Sequence, residues 1–294
     1  MNYQLFSDSC VDIPDSLAKE LNIEILPMKV TVKNKEYANY LDNREIDSKV
    51  FYDFLREQNT ATTAQLNPND FVDKFKPFLE KGVDVLHLSF SSALSGSFNS
   101  CLIAKKELEE IFPDRKIEVI DTLAASMGQG LLVTLAAKEK LAGKSLDEVK
   151  NFVLDLRLRI SHLFTVSDLG HLRRGGRLSA SSMVLGNLLN IKPLLHVNEL
   201  GQLKVYGKSR GRFKSLNNLV HRMEETIDKT NCKLIYISHG DCIEDAVYVK
   251  DLIKEKLGYQ EEQFLINPIG PVIGAHSGVN TLAIFYIGNE RETK

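Results

Sequence analysis

The sequence predicts an α/β protein of two α/β domains, the first on a largely parallel sheet flanked by helices and the second on a mixed sheet. Three observations carry this. Apolar runs of strand length alternate with amphipathic stretches of helix length, the pattern of βα units whose crossovers cover a parallel sheet. The run HVNELGQLKVYG, residues 196–207, instead joins two strand-like segments through a turn at Asn198–Gln202, a hairpin that puts antiparallel pairing in the second half. With 294 residues the chain has room for two modest domains and ample buried core.

In chain order, a strand is expected over Tyr3–Ser7 and a helix over Pro14–Leu21, where the missing donor of Pro14 costs nothing in the first turn. A strand over Ile23–Val32 precedes helices over Ser48–Gln58 and Asn69–Glu80. The buried-type run Val83–Ser89 leads into a helix over Phe98–Ile111, and a strand over Lys116–Ile120 into a helix over Ala124–Leu141. The charged stretch LDEVKNFVLDLRLRI reads as a helix over Leu146–Ile160 that joins the domains, which sets them at 1–160 and 161–294. In the second, strands are expected over His162–Val166, Ile191–Val197, Leu203–Gly207, Lys233–Ser238, Gln263–Pro268 and Thr281–Ile287, with helices over Gly211–Lys229 and Glu244–Leu257.

Composition narrows the function classes. Charged residues are 26% and the net charge is −2, which argues against a general nucleic-acid binder, since those carry a basic excess. No apolar run approaches the roughly 20 residues of a membrane helix. The start, MNYQLFSDSC, lacks the charged and apolar regions of a secretory signal. Cys10, Cys101, Cys232 and Cys242 show no CxxC spacing, so reduced thiols in a cytoplasm are expected rather than disulfides or zinc; Cys10, in a Ser-Asp-rich turn, stays open as a nucleophile. The seven histidines show no ligand spacing, so neither metal nor cofactor is expected.

Five stretches carry candidate chemistry. LHLSFSSALSGSFNS, 86–100, runs from a strand into Ser91, Ser92, Ser95 and Ser97 ahead of a helix, where hydroxyls and free N–H groups either bind an anion or only cap the helix. TATTAQLNP, 60–68, offers Thr62 and Thr63, or a loop with Asn67 as a helix cap. LGHLRRGGRLS, 169–179, sets Arg173, Arg174 and Arg177 around a Gly-Gly break, suited to phosphate, an acidic protein surface or solvent. VIDTLAASMGQG, 119–130, has small residues fit for close packing or close ligand approach, with Met127 assigned to packing. GPVIGAHSG, 270–278, reads as a loop beside the last strand, its His276 and Ser277 set among residues too small to cover them.

Taken in order, SDSCVDIP, SSALSGSFNS, VIDTLAASMGQG, LGHLRRGGRLS, NIKPLLHV and GPVIGAHSG resemble the DegV family, the bacterial fatty-acid-binding proteins also called FakB, over nearly the whole chain. The resemblance implies a fatty-acid tunnel at or near the interface of two α/β domains, its carboxylate held by Thr63, Ser95 and His276. The family's Thr-Ser-Gln-Pro reads Thr63-Ala64-Gln65-Leu66 here, and Thr62 competes for the role of Thr63. It further implies a non-enzymatic lipid carrier that presents the acid to a fatty acid kinase, carries the acyl-phosphate onward and touches membranes transiently to exchange lipid. Arg177 matches an arginine linked to kinase docking, with Arg173, Arg174, Lys208 and Arg210 extending the patch.

The energetics agree with a lipid carrier. About fifteen methylenes at ~0.8 kcal/mol each are worth roughly 12 kcal/mol gross, against about 1.5–3 kcal/mol for a charged hydrogen bond. The tail thus dominates affinity, and the head-group residues set orientation. Two other readings compete: a serine hydrolase using Ser95 with His276, which lacks a Gly-x-Ser-x-Gly elbow, and a regulator that binds a phosphosugar or nucleotide through the arginines, which lacks a Walker or dinucleotide fingerprint.

Overall fold

The computed structural model describes residues 2–167, 169–178 and 190–291. Its first half contains β1 (Tyr3–Asp8), α1 (Asp15–Glu20), β2 (Ile23–Leu26), β3 (Lys29–Val32), β4 (Lys35–Ala38), α2 (Ser48–Arg56), β5 (Thr62–Ala64), α3 (Pro68–Leu79), β6 (Asp84–Ser89), α4 (Ser97–Ile111), β7 (Ile117–Asp121), α5 (Met127–Leu141) and α6 (Leu146–Leu156). The second contains β8 (Ile160–Thr165), α7 (Gly170–Arg174), β9 (Ile191–Val197), β10 (Leu203–Arg210), α8 (Arg212–Thr226), β11 (Ile235–His239), α9 (Ile243–Leu257), β12 (Phe264–Pro268), α10 (Pro271–Ser277) and β13 (Leu282–Ile287).

Strands β2-β1-β6-β7 form a sheet in which every pair is parallel. The order β10-β9-β8-β13-β11-β12 forms a mixed sheet, antiparallel except for β11 and β12, which α9 connects. The expected hairpin is present: Asn198 N–H donates to Gln202 O at 3.0 Å, and β9 and β10 flank the turn. These two sheets match the predicted fold class.

Helix α5 explains the small residues of VIDTLAASMGQG. It is buried nearly all round rather than along one stripe, as befits a helix enclosed by protein. A Cβ on Gly128 would stand 2.1 Å from His162 Nε2, and one on Gly130 would stand 2.4 Å from the Val11 carbonyl. The glycines therefore serve close packing of α5 against β8 and the turn after β1.

The structure corrects several elements. The strand expected over Ile23–Val32 is two, broken at Pro27, which has no N–H for a sheet ladder. β2 stays in the parallel sheet, while β3 joins β4 and β5 in a small antiparallel sheet absent from the sequence reading. Pro14 caps α1 rather than beginning it. GPVIGAHSG is no loop: Pro271 occupies the first helical turn of α10, and Gly278, at φ +80°, ends the helix. Val272 and Ala275 of α10 pack with Phe51 and Tyr52 of α2, and the Tyr52 hydroxyl donates to Ile269 O at 2.9 Å, so this late helix rests on elements of the first half.

Candidate functional site

The mixed sheet supplies one wall of a deep cavity, and its register says which residues do so. Directly paired strand residues project to the same face. Phe164 pairs with Ala283 and Ala283 with Ser238; His162 pairs with Phe285, and Leu203 with Val197. All seven line the cavity. Met28, Phe90 and Leu94 from the first half, with Val272 and Ile273 of α10, close the other side. The space between atoms there is about 780 Å³ with its solvent-open mouth included.

One end of this apolar space is polar. Thr63, Gln65, Ser95, Arg177, His276 and Ser277 gather there. Thr63 and His276, 213 residues apart, meet with Oγ1 and Nε2 at 2.7 Å. Thr63 lies in β5, where neighbours point to opposite faces, and Thr62 faces only an outer groove. Burial, and then the charges of Arg177 and His171, push the His276 imidazole down to about 4, so the ring is neutral at pH 7. Among the described residues its Nδ1 is buried with no hydrogen-bond partner, as is the Ser277 hydroxyl.

Ser95 lies just before α4. Its Oγ accepts from the N–H of Ser97, the first residue of α4, at 3.2 Å and also lines the cavity. Ser97 Oγ accepts from Leu66 N–H at 3.1 Å, and Gln65 packs against Gly96, which ties the end of β5 to the start of α4. No hydrogen bond joins Ser95 to His276, so the pair a serine hydrolase needs is not formed. Cys10 is fully buried, and burial raises its thiol well above the usual range, which removes it as a nucleophile.

The arginine stretch is not one uniform loop. Arg173 and Arg174 end α7 and are exposed, whereas Arg177 is half-buried. Its Nε donates to Leu94 O at 3.0 Å and its Nη1 to Gly175 O at 2.5 Å. Leu172 and Leu178, both in the core, pin the segment on either side. Ser179, the last residue of that motif, lies outside the described residues. Lys208 and Arg210, expected to follow the hairpin, are exposed within β10, which continues beyond Gly207 to Arg210 at the edge of the mixed sheet. Thr63, Arg177 and His276 also border the outer groove, which Thr60, Thr62, His171 and Arg174 line on its far side.

Sequence reasoning missed a buried polar hub beside the cavity. The Asp12 carboxylate accepts from Ser126 Oγ at 2.6 Å and from Gly270 N–H at 3.0 Å, and Ser126 Oγ lies 3.1 Å from Ser238 Oγ. Ser126 and Ser238 line the cavity, and Gly270 opens α10, the helix of His276. The only signal was SDSCVDIP itself, which marks a turn without naming what Asp12 meets.

A family model described as "Uncharacterised protein, DegV family" matches residues 2–289. The chain belongs to the DegV family. A DegV domain-containing protein of Clostridium perfringens is 44% identical over 290 residues, 99% of each chain. Among solved structures, a DegV family protein from Thermus thermophilus, described by its fatty acid binding, is 30% identical with a TM-score of 0.86 over 98% of this chain and 100% of that one. A DegV lipid binding protein from Thermotoga maritima is 28% identical with a TM-score of 0.83, covering 99% and 100%.

Proposed function

We propose that this protein binds a long-chain fatty acid, with its tail in the apolar cavity and its carboxylate held by Thr63, Ser95 and His276. The observation that carries the reading is the cavity itself: a largely apolar lining from the mixed sheet and α10, with Thr63 and His276 in contact at its edge and Ser95 in the same lining. The fatty-acid-binding relative from Thermus thermophilus, alike over its whole length, supports it. Residues 1–160 and 161–294 act as two domains around the ligand.

In the same proposal the protein is not itself an enzyme. It presents the carboxylate to a fatty acid kinase and carries the acyl-phosphate onward, working in the cytoplasm with transient membrane contact for lipid exchange. Arg173, Arg174, Lys208 and Arg210 are exposed and, with Arg177 at the cavity mouth, supply positive charge for an acidic partner surface. The absence of a Ser95–His276 hydrogen bond weighs against the hydrolase reading.

The test is solvent extraction of protein purified from a bacterium, with the lipid identified by mass spectrometry. A long-chain fatty acid near one per protein is expected. A stoichiometric sugar phosphate or nucleotide without fatty acid would overturn the reading.

A further inference from the structure

We infer that Gly175 is the positioning residue of the polar end: lacking a Cβ, it seats the His276 ring against Thr63, and its carbonyl holds the Arg177 guanidinium beside that ring. The functional part of this rests on the fatty-acid reading; the steric part does not.

The two glycines of Arg-Arg-Gly-Gly-Arg stand there for different reasons. Gly176 has φ +70° with no heavy atom within 4 Å of an added Cβ, so its backbone alone favours glycine. Gly175 has φ −74° and ψ −7°, a right-handed conformation open to any residue. What excludes a side chain at Gly175 is space: a Cβ would stand 2.1 Å from His276 Nδ1, 3.0 Å from its Cε1 and 3.2 Å from His171 O.

The ring cannot simply retreat. Thr63 Oγ1 sits 2.7 Å from Nε2 on its other side, and α10 is anchored by Val272 and Ala275 in the core. The contact has a counterpart one turn away, where a Cβ on Gly278 would stand 2.7 Å from His171 Cδ2. Helices α7 and α10 therefore interlock ring on glycine in both directions. The same Gly175 carbonyl accepts from Arg177 Nη1 at 2.5 Å, so one residue places both the imidazole and the cation at the polar end. Because a misplacement of about 1 Å is costly where groups must converge on a ligand, a side chain here displaces the head-group site without touching the ligand.

The experiment is a double-variant cycle of Gly175→Ala and His276→Ala, with Gly176→Ala as a control. It is read by thermal unfolding, by titration with a fluorescent fatty acid, and by NMR titration of the His276 ring. Gly175→Ala alone is expected to lower Tm and weaken binding about as much as His276→Ala does. Added to His276→Ala, it is expected to cause no further loss of affinity and to lower Tm much less than it does alone, because the ring clash is gone, alanine suits this φ and ψ, and only the 3.2 Å approach to His171 O remains. The His276 ring, which titrates near 4 in the native protein, is expected to move toward about 6.5 in Gly175→Ala and to stay in place in Gly176→Ala. Additive affinity losses, a Tm that falls equally on both backgrounds, or an unmoved titration would overturn the inference. Should Gly175→Ala fail to fold, folding of the double variant supports the inference, and its failure refutes it. Should the native protein bind no fatty acid, the functional reading falls, while Tm and the ring titration still decide the role of Gly175.

Discussion

Replacing Asp12 with Asn tests the buried hub that ties α10 to the first half. Asp12 is 2% exposed, and burial pushes its carboxyl up to about 7, with the Ser126 and Gly270 hydrogen bonds offsetting part of the effect and the Asp8 charge adding to it. In the unfolded chain an aspartate titrates near 3.9. Between those values the folded state keeps a proton that the unfolded state has released, so the contribution of Asp12 is complete below about pH 4 and declines as pH rises toward 7. At ~1.36 kcal/mol per unit, the decline totals about 4 kcal/mol, of which about 2 kcal/mol falls between pH 5 and 7. Asn is nearly isosteric, neutral throughout and tolerant of the φ of +50° found here. Urea denaturation of both proteins at several pH values from 5.0 to 7.5 should therefore show the variant gaining on the native protein by roughly 2–3 kcal/mol across the range. Buried His87 and His276, held down to about 3 and about 4, act with the opposite sign as pH falls, but both proteins share them and they cancel in the difference. A difference constant to a few tenths of a kcal/mol, or one that shrinks with pH, would refute the reasoning.

Two further outcomes follow from the site. Ala283 faces the cavity between Phe164 and Ser238, so Ala283→Phe should fill the space where the tail is proposed to lie and strip the bound fatty acid at least tenfold with Tm nearly kept; full lipid content by mass spectrometry would place the tail elsewhere. If the protein serves a fatty acid kinase as proposed, Arg177→Ala should retain the fatty acid and weaken association with that partner, more at low salt than at high, since charges meeting at a solvated surface are screened over about 8 Å at physiological ionic strength; lost lipid with normal association would assign Arg177, which also lines the cavity, to lipid binding.

What the sequence by itself determined is what depends on near neighbours. Strand and helix periods report which face of a segment is buried, and a turn such as Asn198–Gln202 constrains the two segments it joins. The parallel sheet, the mixed sheet and the hairpin were legible for that reason. Thr63, Ser95 and His276 stood among the candidates that local pattern offered, but only the family resemblance joined them into one carboxylate site; the spacing left Thr62 and Thr63 equivalent, and the pleat of β5 sets Thr63 toward the cavity.

Only the tertiary structure decided the rest. GPVIGAHSG is too short and too rich in glycine to declare a helix; α10 is held by its contacts with Phe51 and Tyr52, more than 200 residues earlier. β5 has three residues and no period to read, and it exists because β3 lies beside it. The glycines at 128, 130 and 175 look alike in sequence, yet each answers to a different distant neighbour: His162, Val11 and His276. The physical reason is the same throughout. Burial leaves a periodic trace along the chain, whereas a hydrogen bond or a steric contact across space depends on a partner whose position the rest of the fold sets.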